Sequence, residues 1–146
     1  RIRRDGDAGG KYRWLPSRSS CRENGTRSYS WIHVTGDTTQ KRAYLTEGPL
    51  KGDIASYFAN DALFVCLGGV NVHKGLRETL LSLGVTEVME AMDMDQFTNP
   101  QVRQAIGTLR REVQSMPGIG YYQGTWNPRL KGVDDYLLDW TKRKTA

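Results

Sequence analysis

Two cysteines and two histidines in 146 residues leave several chemistries without material. Cys21 and Cys66 are too few for a disulfide framework or a four-ligand zinc site, and neither sits in a CxxC pair. Cys66 lies inside the apolar run Leu63-Phe64-Val65-Cys66-Leu67 and reads as a small buried hydrophobe in a reducing compartment. His33 and His73 have no ligand-like spacing to each other or to the cysteines, so they read as surface or loop histidines. The longest apolar stretch, Leu63 to Val70, contains two glycines and is less than half the roughly 20 residues of a spanning helix. There is no internal repeat, no low-complexity segment and no apolar signal segment. The chain opens on Arg1 rather than Met, which reads as a piece of a longer protein with neighbouring domains.

At 38% hydrophobic and 25% charged residues, the composition is that of a single globular domain. Twenty-one Lys plus Arg against sixteen Asp plus Glu give a net charge of +5, and that charge is unevenly spread. Residues 1–44 hold ten basic and four acidic side chains, residues 45–100 three and eight, and residues 101–146 eight and four. An acidic middle between basic flanks is the wrong pattern for a plain basic binding face. It suits carboxylates that meet a polyanion through a divalent cation.

Residues 1–42 are rich in Gly, Ser, Arg and Thr and read as a small β-rich extension of short antiparallel strands. Tyr12/Trp14 and Tyr29/Trp31, each at i, i+2, present one face of a strand. Such a face serves either a packed sheet or base stacking beside Arg13, Arg18 and Arg27. From residue 43 onward strand and helix patterns alternate. Strands are expected at 43–46, 62–67, 86–92 and 119–123. Helices are expected at 49–60, from about Lys74 to the stop at Gly84, after the Asn99-Pro100 cap, and from about Asp134. Strands joined by single helices predict an α/β domain over 43–146, a parallel sheet of about four strands with helices on both faces.

In such a sheet the strand-to-helix loops open at one edge, and ligands gather there. Glu47-Gly48 ends the first strand, Gly68-Gly69 follows the second, and Asp93-Met94-Asp95 follows the third. If the chain stays extended, Asp93 and Asp95 project to one side as two hard oxygen donors. Mg²⁺, which keeps several waters and takes its remaining ligands from phosphate, suits such a set. Lys51, in the first turn of the helix that opens at Pro49, is either a solvated side chain or part of this edge. Lys131 and Asp134 follow the fourth strand; Asp134 and Asp135 also complement a helix N-terminus.

The order Leu45-Thr46-Glu47-Gly48, Leu67-Gly68-Gly69, Asp93-Met94-Asp95 resembles the Toprim domain of bacterial primases, topoisomerases and some nucleases. The strings TEGPLKGDIA, GKYRWL and TWNPRLKGVDDYL are similar to a Toprim-like family in replication proteins of plasmids, phages and integrative elements. The likeness covers nearly the whole chain; it differs from the primase pattern where the Asp-x-Asp continues as Gln96-Phe97-Thr98. The resemblance implies a Rossmann-like fold and Mg²⁺ (or Mn²⁺) held by Glu47, Asp93 and Asp95, with Glu47 doubling as general acid/base. It also implies a part for Lys131, phosphate contacts at Gly48, Lys51, Gly68 and Gly69, and a cytoplasmic replication protein whose partners are DNA and its own further domains. A non-catalytic nucleic-acid or nucleotide binding module is the other class these residues allow.

Overall fold

The computed structural model describes residues 31–145, together with the backbone of two short strands, β1 (Ile2–Arg3) and β2 (Tyr12–Arg13). The chain divides into two compact units, Arg1–Ser30 and Trp31–Ala146. In the first, β1 and β2 pair antiparallel, Ile2 opposite Arg13 and Arg3 opposite Tyr12. Trp14, Tyr29, the side chains of Tyr12 and Arg13, and Arg18, Arg27 and Cys21 lie outside the described residues; Trp31, the one aromatic of the expected hairpin whose side chain is described, belongs to the second unit and is exposed.

The second unit runs β3 (His33–Gly36), β4 (Arg42–Glu47), α1 (Pro49–Phe58), β5 (Leu63–Leu67), α2 (Leu76–Ser82), β6 (Glu87–Glu90), a 3₁₀ turn (Met94–Phe97), α3 (Pro100–Gln114), β7 (Gly120–Gln123) and α4 (Val133–Lys144). Its five-stranded sheet has the order β3-β5-β4-β6-β7. The four strands expected from the sequence are all present and mutually parallel. The sheet as a whole is mixed, because β3 adds to β5 as an antiparallel edge strand. That strand comes from the stretch assigned to the β-rich extension. Its four residues, His-Val-Thr-Gly, are too few for an alternation pattern to separate them from a hairpin.

Successive side chains of the central strands go to opposite faces, and each face is apolar. Leu63, Val65 and Leu67 of β5 and Ala43 and Leu45 of β4 pack with Leu76 and Leu80 of α2 and Ile106, Leu109 and Val113 of α3. Phe64 and Cys66 look the other way, onto Ala55 of α1 and Val133 and Leu137 of α4. Burial on both sides explains why β5 reads as an unbroken apolar run rather than an alternating one. Two chemical details seat the helices. Asn99 accepts hydrogen bonds through Oδ1 from Gln101 N (3.0 Å) and Val102 N (3.4 Å), capping α3 as its Asn-Pro start predicts. Gly52 lets α1 close on β5: a Cβ there would stand far inside contact distance of Cys66 Sγ.

From β4 the chain passes over α1 to β5 on one side, then over α2 back past β4 to β6 on the other. The direction reverses around β4, so the carboxyl ends of β4 and β6 flank the switch point where an open α/β sheet leaves a crevice. Among the described residues, no helix is long and apolar enough to cross a membrane.

Candidate functional site

Glu47 is the last residue of β4, and Gly48 N donates to Leu67 O at 2.8 Å, tying that end to the end of β5. Gly48 has φ +89°, a backbone region that side-chain-bearing residues rarely enter, and the space where its Cβ would stand is open. The turn lets α1 start immediately, with Pro49 at its first position and Lys51 in its first turn. The helix N-terminus therefore sits beside Glu47, and its unsatisfied N–H groups favour negative charge there.

On the other side of the switch point, β6 ends three residues before Asp93. The expected extended Asp-x-Asp is not what forms. Asp93 precedes the 3₁₀ turn Met94–Phe97, which carries Asp95 within it, so the two carboxylates leave a turn rather than a strand. Met92 and Met94 on either side of Asp93 are buried, and Gln96 within the turn is buried as well. Asp93 becomes almost wholly buried while Asp95 stays 41% exposed. Met94 N donates to Lys131 O at 2.9 Å, which brings the loop after β7 to the same place.

The side chains then converge. Lys51 Nζ donates to Asp93 Oδ1. Lys131 Nζ lies 3.5 Å from Asp93 Oδ2 and 3.6 Å from Asp95 Oδ2, bridging the two carboxylates. Asp93 thus has an ammonium group on each oxygen, which offsets the cost of burying its charge. Glu47 is held above the ordinary carboxylate range, first by burial and then by the negative charge of Asp93, with Asp95 adding to it and Lys51 and Lys131 opposing. Asp93 and Asp95 hold the Lys131 ammonium above its usual value, Asp93 more strongly, against a smaller effect of burial.

A fourth carboxylate joins these three. Asp134, at the start of α4, has a buried Oδ1 with no hydrogen-bond partner. Burial, then the neighbouring Asp135, raises its affinity for a proton. A Cβ on Gly132 would crowd Asp134 Oδ1 and lie 3.4 Å from Asp93 Oδ1, so glycine at 132 makes room for both. Asp135 plays the helix-start part, its Oδ2 accepting from Gly132 N at 3.2 Å.

Every carboxylate and lysine picked out for this edge is here: Glu47, Lys51, Asp93, Asp95, Lys131 and Asp134. Gly68 is buried and Gly69 part-buried at the end of β5; Gly69 O accepts from Val72 N at 2.8 Å in a local turn. The histidines are partly exposed, as expected, and each lies against a carboxylate: His33 Nε2 is 2.7 Å from Asp53 Oδ1 and His73 Nδ1 is 2.6 Å from Glu112 Oε2. Cys66 is fully buried, and burial pushes its thiol up to about 12.

The sequence reading missed a buried ionic group behind the site. Glu90, the last residue of β6, is completely buried. It accepts from Arg110 Nη2 at 2.9 and 3.1 Å, from Arg110 Nε at 3.2 Å, and from the Tyr121 hydroxyl. Burial first, then the bond to Glu90, raises the Tyr121 hydroxyl well above the ordinary phenol range. An acid at the end of an apolar strand is the only trace this group leaves in the sequence, since its partners come from α3 and β7.

The donor chemistry fits a hard cation. Oxygen ligands alone, two negative charges beyond what the lysines compensate, and an unpartnered buried carboxylate oxygen are what Mg²⁺ or Mn²⁺ would meet. Among the described residues no three acidic, histidine or cysteine side chains already stand in ligating positions, so the protein ligands would be few. No family model, no curated protein and no solved structure matches the chain.

Proposed function

We propose that this protein is a Toprim-like domain of a mobile-element DNA replication protein, of primase type, that acts on nucleic-acid phosphodiesters with Mg²⁺ or Mn²⁺. The observation that carries the reading is the meeting of Glu47 from β4, Asp93 and Asp95 after β6, and Lys131 after β7 at the carboxyl edge of one α/β sheet. Glu47, Asp93 and Asp95 would hold the cation, with Asp134 within the same cluster. Bound there, the cation would supply Lewis-acid stabilisation of a phosphate in the transition state.

This chain's own residues account for the rest. Lys51 and Lys131 hold Asp93 in place and carry positive charge to the rim of the site, where phosphate oxygens would lie. Glu47, with its raised proton affinity, is the group suited to exchange a proton with an attacking or leaving hydroxyl. Gly48 leaves open space at the α1 N-terminus, where a phosphate could approach backbone N–H groups. The basic residues of 1–44 and of 101–146, apart from Arg110, which is engaged by Glu90, would contact the nucleic-acid backbone.

A second reading, a nucleic-acid or nucleotide binding module that keeps the acidic site for metal-assisted docking but does no chemistry, is favoured by one feature: Lys51 and Lys131 already lie on the oxygens of Asp93 and Asp95. The two separate on single-stranded and primed DNA incubated with Mg²⁺ or Mn²⁺, with and without nucleoside triphosphates. The full chain is expected to form phosphodiester bonds with release of pyrophosphate when the triphosphates are present, or to hydrolyse them when they are absent, and Glu47→Gln and Asp93→Asn to lose that activity. Activity equal to wild type in both variants would sink the catalytic reading.

A further inference from the structure

The two lysines at the carboxylate cluster occupy the oxygens a cation would need. Lys51 takes Asp93 Oδ1, and Lys131 lies between Asp93 Oδ2 and Asp95 Oδ2. Both are on flexible four-carbon stems; Lys131 is 62% exposed and Lys51, in the first turn of α1, is 29% exposed, so neither ammonium is enclosed in the core. A cation arriving alone must displace these ammonium groups or share the carboxylates with them, at the cost of like-charge repulsion. A phosphate arriving alone meets four carboxylates against two lysines and is repelled. Neither ligand is well served by itself.

Resting on the metal-site reading above, we propose that Lys51 and Lys131 are exchange groups: they neutralise Asp93 and Asp95 while the site is without ligand, and swing onto the phosphate of an incoming strand as a divalent cation takes their place on the carboxylates. The two ligands then bind synergistically. Phosphate draws the ammonium groups off the carboxylates and frees them for the cation, and the cation removes the negative charge that repels phosphate. Nothing covalent changes; two sets of charge pairs trade partners. Linkage requires the coupling to be reciprocal, each ligand improving the other's affinity by the same factor. The arrangement also makes the lysines a filter, because a cation without a phosphodiester is held weakly.

Mn²⁺ binding to the full chain, read by the electron paramagnetic resonance of the free ion, tests this with and without saturating tetrathymidylate. In the wild type the Mn²⁺ Kd is expected to fall about fivefold or more when tetrathymidylate is present, and the oligonucleotide Kd to fall by the same factor when Mn²⁺ is present. Lys51→Met and Lys131→Met are each expected to bind Mn²⁺ alone more tightly than wild type, to bind the oligonucleotide more weakly, and to show smaller coupling. The exposure of Lys131 makes its variant safe for the fold. Mn²⁺ binding that depends on Glu47 and Asp93 but is indifferent to oligonucleotide would overturn the exchange and leave the metal site standing. So would full coupling retained in both lysine variants, since a cation bridging carboxylate and phosphate with the lysines unmoved predicts that result. Mn²⁺ binding unaffected by Glu47→Gln and Asp93→Asn overturns the metal site and the exchange together.

Discussion

Replacing Arg110 by Met strips a fully buried carboxylate of its only cationic partner in the described structure, while keeping a side chain of similar length on α3. Glu90 has no solvent exposure, and Arg110, one third exposed, gives it three hydrogen bonds at 2.9 to 3.2 Å. Removing one partner of a buried pair costs about 3–5 kcal/mol, because the other charge stays behind without compensation. The lower end applies here, since Tyr121 still donates to Glu90 and water can reach the Arg110 position. A loss of about 3 kcal/mol in a domain of this size lowers Tm by about 10 °C. Urea denaturation and thermal circular dichroism read both quantities. The double variant Glu90→Leu/Arg110→Met is the decisive comparison: with the charge gone as well, stability is expected to return to within about 1 kcal/mol of wild type. A single variant within about 1 kcal/mol of wild type, or a double variant no better than the single, would refute the account of Glu90 as a charge that depends on Arg110. Since Glu90 lies three residues ahead of Asp93, the single variant is also expected to weaken whatever binds at the carboxylate cluster.

Three further outcomes follow from the same geometry. Glu47→Gln, measured without divalent metal, is expected to be more stable than wild type at neutral pH. A carboxylate with raised proton affinity favours the fold only while protonated, so wild type loses that stability as pH rises through the folded value, and the gap should close below about pH 4; a difference that does not change with pH would count against it. Gly48→Ala and Gly52→Ala are both expected to destabilise, the first by about 1–3 kcal/mol through its backbone angle and the second by crowding Cys66, so only Gly52→Ala should be relieved by adding Cys66→Ala in a double-mutant cycle. DNA affinity of the full chain is expected to fall steeply with salt, and a flat titration would rule out phosphate contacts by the basic flanks.

Local pattern and chemistry were enough for the four parallel strands, the four helices between and after them, and the acids and glycines at their ends. The reason is that each rests on neighbours in sequence: an apolar run long enough only for a strand, an i, i+4 stripe, an Asn-Pro cap, a Glu-Gly turn. The edge strand β3 escaped because its partner, β5, lies 27 or more residues further along and its own four residues carry no pattern. The Asp-x-Asp was legible as a pair of acids but not as a 3₁₀ turn, since the turn is tied through Met94 N to Lys131 O, a contact between segments far apart in the chain.

The sequence by itself determined which residues reach the carboxyl edge of the sheet, because strand ends and chain order place them there whatever the details of packing. Only the tertiary structure decided how they are used. The Lys51 and Lys131 grip on Asp93, the burial of Asp134 Oδ1 beside it and the Glu90–Arg110–Tyr121 group depend on distances between segments 20 to 42 residues apart. Charge interactions act through space and vary with burial, and neither quantity can be read from the order of residues along a chain.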